Sequence, residues 1–135
     1  MDSMTIPANL ENLDTVNEFV EQRLAPFDCP PRTLLQLQLA IEEIFVNIAS
    51  YAYFPEEGVA EVRCQVLNDP LRVEIQFLDS GVPFDPLARE DADTSEEALM
   101  SREGGLGILL VKNTMDDVRY SYEDGKNILT ILKTL

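Results

Sequence analysis

The segment from Leu34 to Ile48 constrains the fold most: Leu34, Leu37, Ile41, Ile44 and Ile48, with Phe45 and Val46 alongside, make it apolar around most of a helical circumference. A helix at the surface needs one apolar stripe, so this breadth calls for cover on several sides. The spacing predicts a helix that opens after Pro30-Pro31 and runs to about Tyr53, where Pro55 and Gly58 end it. Upstream, Leu10, Leu13, Val16, Phe19, Val20 and Leu24 recur at intervals of three and four, an amphipathic helix that should stop near Pro26. Ser3 to Pro7 suits a short first strand.

The second half alternates instead. In the stretch Val59 to Leu67, Val62, Cys64 and Val66 fall on one face while Glu61, Arg63 and Gln65 fall on the other. Asn68-Asp69-Pro70 is a turn signal and Leu71 to Leu78 resumes a strand, giving an antiparallel hairpin. From Asp85 to Glu103 the chain is acidic, small and weakly periodic, a long loop with room for a helical turn over Ser95 to Met100. Gly104-Gly105-Leu106-Gly107 then leads into a short buried helix from Ile108 to about Met115. Val118 to Tyr122, the turn Glu123-Asp124-Gly125-Lys126 and Ile128 to Leu132 form a second hairpin. This order fits an α+β, two-layer α/β sandwich, with a mainly antiparallel sheet and the helices on one face, as a single domain over residues 1–135.

Charge and composition exclude several functions. Ten Lys and Arg face 25 Asp and Glu, a formal charge of -15, so phosphate-rich nucleic acid would be repelled and no direct nucleic-acid binding is expected. The absence of histidine removes imidazole acid–base catalysis, histidine metal ligation and a phosphohistidine intermediate. No apolar run is long enough to span a bilayer, and Met-Asp-Ser-Met does not read as a signal sequence. Two cysteines, Cys29 and Cys64, make no disulfide framework, and Cys64 reads as a small core residue. A cytoplasmic protein without membrane attachment is the expectation.

Three clusters could carry chemistry. Glu42, Glu43 and Asn47 interrupt the apolar helix, and Glu43 and Asn47, four apart, project from one face. A carboxylate and an amide oxygen there could hold a hard cation or polarise a hydroxyl; taken alone, the pair also suits a polar stripe touching solvent. Asp79-Ser80-Gly81-Val82-Pro83-Phe84-Asp85-Pro86 comes directly off an apolar strand. Its acceptor-only carboxylate would select an exocyclic amine such as that of adenine, although Gly and Pro here also suit a plain tight turn. Gly104, Gly105 and Gly107 open a helix, where free N–H groups favour an anion, or where glycines serve as a hinge. The segment is neither a Walker A loop nor a Gly-x-Gly-x-x-Gly fingerprint, and no eukaryotic-type kinase signature is present.

In order and spacing, Glu43-x-x-x-Asn47, Asp79-x-Gly81-x-Pro83-Phe84-Asp85-Pro86 and Gly104-Gly105-Leu106-Gly107 resemble the N, G1 and G2 boxes of the GHKL ATPase superfamily. The likeness is greatest to the anti-sigma-factor serine kinases of the RsbW and SpoIIAB type. Ile6-Pro7-Ala8, Gln38 to Glu43, and Gly107 to Lys112 leading to Met115-Asp116 extend it over essentially the whole chain.

The resemblance implies the Bergerat fold, ATP and Mg²⁺, and an ATP lid over residues 86–103. It implies Glu43 as general base, Asn47 as the Mg²⁺ ligand, Asp79 on the adenine amine and Gly81 lining the base. The box Gly104, Gly105, Leu106 and Gly107 would bind nucleotide, Gly105 and Gly107 through backbone contacts to phosphate, and Arg102 would reach the γ-phosphate. The implied partners are a serine-bearing anti-anti-sigma (STAS-domain) protein and a sigma factor, with a homodimer through the sheet face. A non-catalytic ATP-sensing module of the same fold is the alternative. Two departures stand out: Tyr51 occupies a position where these kinases often carry histidine, and the acidic lid holds only Arg89 and Arg102 as cations.

Overall fold

A computed structural model describes residues 1–53, 56–87 and 106–135. Five strands, β1 (Asp2–Pro7), β2 (Val59–Leu67), β3 (Arg72–Asp79), β4 (Asp117–Glu123) and β5 (Lys126–Thr134), form one sheet in the order β1-β2-β3-β5-β4. All four pairings are antiparallel. Among the described residues, three α-helices, α1 (Leu13–Leu24), α2 (Pro31–Asn47) and α3 (Leu106–Thr114), make up the second layer. The expected two-layer α+β sandwich is what the chain forms.

Strand alternation decides what the layers share. On β2, Ala60, Val62 and Cys64 point inward; on β3, Val73, Ile75 and Phe77; on β5, Leu129 and Ile131, all of them buried. They meet Val16 and Val20 of α1, and Leu37, Ile41 and Phe45 of α2, in one core. The breadth of apolar sequence in α2 has its explanation here: the helix touches both α1 and α3 while lying over the core. Cys64 is buried as expected, and burial pushes its thiol up to about 11.

The helix boundaries differ from the periodicity in two places. Leu10–Asn12 is a separate 3-10 turn before α1. More consequentially, α2 is α-helical only to Asn47, and Ile48–Ala52 continues as a π-helical turn. The Ile48 N–H already reaches both the Ile44 and Phe45 carbonyls, and at the end of the wider turn the Ala52 carbonyl accepts a bond from the Val82 N–H at 3.2 Å. π-helical turns of this kind are frequent at functional sites. Among the described residues, no helix is long and apolar enough to cross a membrane.

Candidate functional site

The sheet register places the polar residues. Val62, Phe77, Leu129 and Tyr120 form one inward row across β2, β3, β5 and β4, and the next inward row is Ala60, Asp79, Asn127 and Tyr122. A carboxylate and an amide therefore stand side by side where the apolar core ends. They share a cleft, open to solvent, with Asn47, Tyr51, Phe84 and Ile108.

Asp79 is only 8% exposed. Its Oδ1 accepts bonds from the Gly81 N–H at 2.9 Å and from Asn127 Nδ2 at 3.0 Å. Both bonds land on the same oxygen, so Oδ2 is the atom suited to a donor entering the cleft. Asn127, equally buried, uses its whole hydrogen-bonding capacity. Nδ2 donates to Asp79 and to the Val82 carbonyl at 3.0 Å, while Oδ1 accepts from the Phe84 N–H at 3.1 Å and from the Tyr120 hydroxyl. Burial pushes the Tyr120 phenol up, which keeps that hydroxyl a donor.

The segment after Asp79 is held from outside. The Ser80 N–H donates to the Tyr53 hydroxyl at 2.7 Å, Gly81 to Asp79, Val82 to the Ala52 carbonyl and Phe84 to Asn127, while Pro83 has no N–H to satisfy. Gly81 is required by space: a Cβ there would collide with the Ala52 carbonyl. The loop is thus set before any ligand arrives.

On α2, Asn47 lines the same cleft, and Glu43, one turn earlier, is half-buried. The Glu43 carboxylate lies against Gly107 in the first turn of α3, so closely that a Cβ at Gly107 would collide with it. The fold accordingly brings Glu43 to Gly107, and Asn47 to Asp79, from distant parts of the chain. Leu106 begins α3. Arg102, Gly104 and Gly105, the expected lid from 88 to 103 and the expected turn over 95–100 lie outside the described residues.

Sequence reasoning missed Asn127 and Tyr53. A signal for the first existed: in the alternation of β5, position 127 shares the inward face with Leu129 and Ile131, where a polar residue is out of pattern. Nothing local marked Tyr53. No Lys or Arg among the described residues lines the cleft. Nor do the described residues contain a group of three or more His, Cys, Asp or Glu able to hold a metal. A cation here would take one amide oxygen from Asn47 and draw its other ligands from substrate phosphates and water, which is how Mg²⁺ is commonly held.

The sequence profile of the histidine kinase-like ATPase domain matches residues 6–133. A protein from Listeria monocytogenes EGD-e named serine-protein kinase RsbW is 32% identical over 97 residues, covering 69% of this chain and 61% of the relative. A protein of the same name from Staphylococcus aureus RF122 is 24% identical over 131 residues, covering 93% and 81%. The chain thus spans less than two thirds of the Listeria relative's length. In structure it resembles a chain of the SiaB–SiaC complex from Pseudomonas aeruginosa, with a TM-score of 0.60 at 17% identity over all of this chain and 90% of the other, a likeness of fold. With Asn47 and Asp79 on one cleft, the profile matched over residues 6–133 and RsbW proteins among its relatives, the chain belongs to the histidine kinase-like ATPase family of the GHKL superfamily.

Proposed function

We propose that this protein binds ATP with Mg²⁺ in the cleft and transfers the γ-phosphoryl group to a serine of an anti-anti-sigma (STAS-domain) partner, in a cytoplasmic partner-switching pathway that sequesters a sigma factor and so controls transcription. The observation that carries the reading is the buried Asp79, held through one oxygen, in the same cleft as Asn47. The names of the Listeria and Staphylococcus relatives support the choice of serine as acceptor.

The chain's own residues divide the work. Asp79 accepts from the adenine amine through Oδ2, and Gly81 lets the backbone approach the base. Asn47 offers its amide oxygen to Mg²⁺, which supplies positive charge at the phosphates. By the family resemblance, Gly104, Gly105, Leu106 and Gly107 would bind nucleotide, Gly105 and Gly107 through backbone N–H groups to phosphate. By the same resemblance, residues 86–103 would be the ATP lid and Arg102 would reach the γ-phosphate. Glu43 takes the proton of the attacking serine hydroxyl as the new oxygen–phosphorus bond forms and the bond to the ADP oxygen breaks. With a net charge of -15 and no cation among the described lining residues, the protein needs Mg²⁺ to receive an anion of about four negative charges. By the family resemblance, the open sheet face would serve a homodimer.

Calorimetric titration with ATP tests the reading, first with Mg²⁺ and then with excess chelator. Binding that requires Mg²⁺ is expected, and equal affinity in chelator would remove the role given to Asn47. Phosphotransfer to a serine-bearing STAS protein should then fall on the order of 10²-fold or more in Glu43→Gln. Nucleotide binding with no transfer by the wild-type protein would leave the ATP-sensing module as the answer.

A further inference from the structure

Tyr53 lies outside the cleft lining, yet its hydroxyl is the joint on which the Asp79 loop turns. The β2–β3 register ends with Ala60 opposite Asp79, and one further step would set Val59 opposite Ser80. In an antiparallel ladder that step can be closed by a direct N–H to carbonyl bond. Here the Tyr53 hydroxyl stands in between: it accepts from the Ser80 N–H at 2.7 Å and donates to the Val59 carbonyl at 2.6 Å. The two strands are held apart by one oxygen atom immediately after Asp79.

Three further contacts fix that oxygen. Tyr53 caps the π-helical turn that follows Asn47, so its backbone is placed by α2. Its ring lies flat on Gly58, where any Cβ would strike it. The neighbouring Ala52 accepts from Val82 and excludes a side chain at Gly81. The end of α2 therefore meets the loop at two successive residues, Ala52 and Tyr53, on the side away from Asn127.

We infer that Tyr53 is a positioning residue for purine recognition: its hydroxyl wedges the β2–β3 ladder open at Ser80 and thereby aims the Gly81 N–H at Asp79 Oδ1, leaving Oδ2 for the base. This rests on the nucleotide reading of the cleft. Without the hydroxyl, Ser80 and Val59 can close directly, the ladder lengthens by one step, and the Asp79 carboxylate loses the geometry of one of its two anchors. Substrates read through Asp79 suffer; the phosphate end of the cleft does not.

The test is titration of wild-type, Tyr53→Phe and Gly58→Ala proteins with Mg²⁺-ATP and with the Mg²⁺ complex of purine riboside triphosphate, which lacks the exocyclic amine, alongside thermal unfolding of each. Tyr53→Phe keeps the ring and removes only the oxygen. Its ATP affinity should fall roughly 3- to 10-fold, the size of one or two lost hydrogen bonds, while affinity for the amine-free analogue changes less than about 2-fold, so the preference for ATP drops. Gly58→Ala, which displaces the ring with the hydroxyl intact, should reproduce the lost preference. Unchanged ATP affinity and an unchanged ratio of ATP to analogue affinity in folded Tyr53→Phe, whether or not its Tm falls, would overturn the wedge. Should Tyr53→Phe fail to fold, the ratio in Gly58→Ala decides in the same way. A wild-type protein that binds neither nucleotide overturns instead the reading of the cleft on which this one stands.

Discussion

Replacing Asn127 by leucine, nearly its equal in shape, isolates the polar anchor of the cleft. Four bonds are lost, but they do not count equally. Val82 is 69% exposed and Phe84 39%, so water can pair their backbone groups again. Asp79 and Tyr120 are less accessible. The bond to the Asp79 carboxylate is charge-assisted and worth roughly 1.5–3 kcal/mol, and the Tyr120 hydroxyl about 1 kcal/mol more. A loss of about 3 kcal/mol follows, which in a chain of this size is a fall of roughly 10 °C in Tm. Denaturant unfolding at neutral pH measures it directly. A cycle with Tyr120→Phe then apportions it: the phenylalanine change should cost about 1 kcal/mol in the wild type and much less once Asn127 is leucine. A stability within 0.5 kcal/mol or so of wild type for Asn127→Leu would refute the claim that this amide carries the Asp79 anchor, since buried polar groups left unpaired cost more than that.

Other changes probe the remaining contacts. Gly107→Ala should displace the Glu43 carboxylate while leaving stability equal or slightly raised, because alanine favours the helix by about 1 kcal/mol; phosphotransfer reduced at least tenfold with an unchanged melting curve is the expected result. Gly81→Ala sets a Cβ against the backbone of Ala52, which cannot swing aside, so it should lower stability by roughly 1–3 kcal/mol and weaken ATP binding in calorimetry. Cys64 has a folded pKa raised by burial from 9.0 to about 11, so the unfolded chain releases this proton first as pH rises. Stability should therefore be constant in this respect below pH 9, fall as pH climbs toward 11, and fall less steeply in Cys64→Ala; denaturant midpoints across that range check it. Burial raises the Tyr120 phenol in the same sense, adding to the decline above its ordinary value of 10.0.

Much of the fold was legible because it rests on short-range periodicity. The alternation in Val59–Leu67 and the three-and-four spacing in Leu13–Leu24 report which side of each element is buried, and burial is what orders them into layers. Asp79 was visible as a carboxylate at the end of an apolar strand, and Glu43 and Asn47 as polar breaks in an apolar helix, because each departs from the pattern of its own neighbours. The spacing of the boxes pointed to the family for the same reason.

The tertiary structure alone decided how these residues meet. Asn127 anchors Asp79 across a separation of 48 residues, set by the pairing of β3 with β5, and the choice of partner between strands so far apart in the chain is made only on folding. At the end of the π turn Ile48–Ala52 the Ala52 carbonyl accepts from the Val82 N–H, a contact that local helix propensity does not contain. The same holds for the Tyr53 hydroxyl between Val59 and Ser80, and for the Glu43 carboxylate against Gly107. Sequence by itself determined which residues are polar where they should be apolar; only folding, by bringing distant backbone groups within hydrogen-bonding range, determined which of those residues hold one another in place.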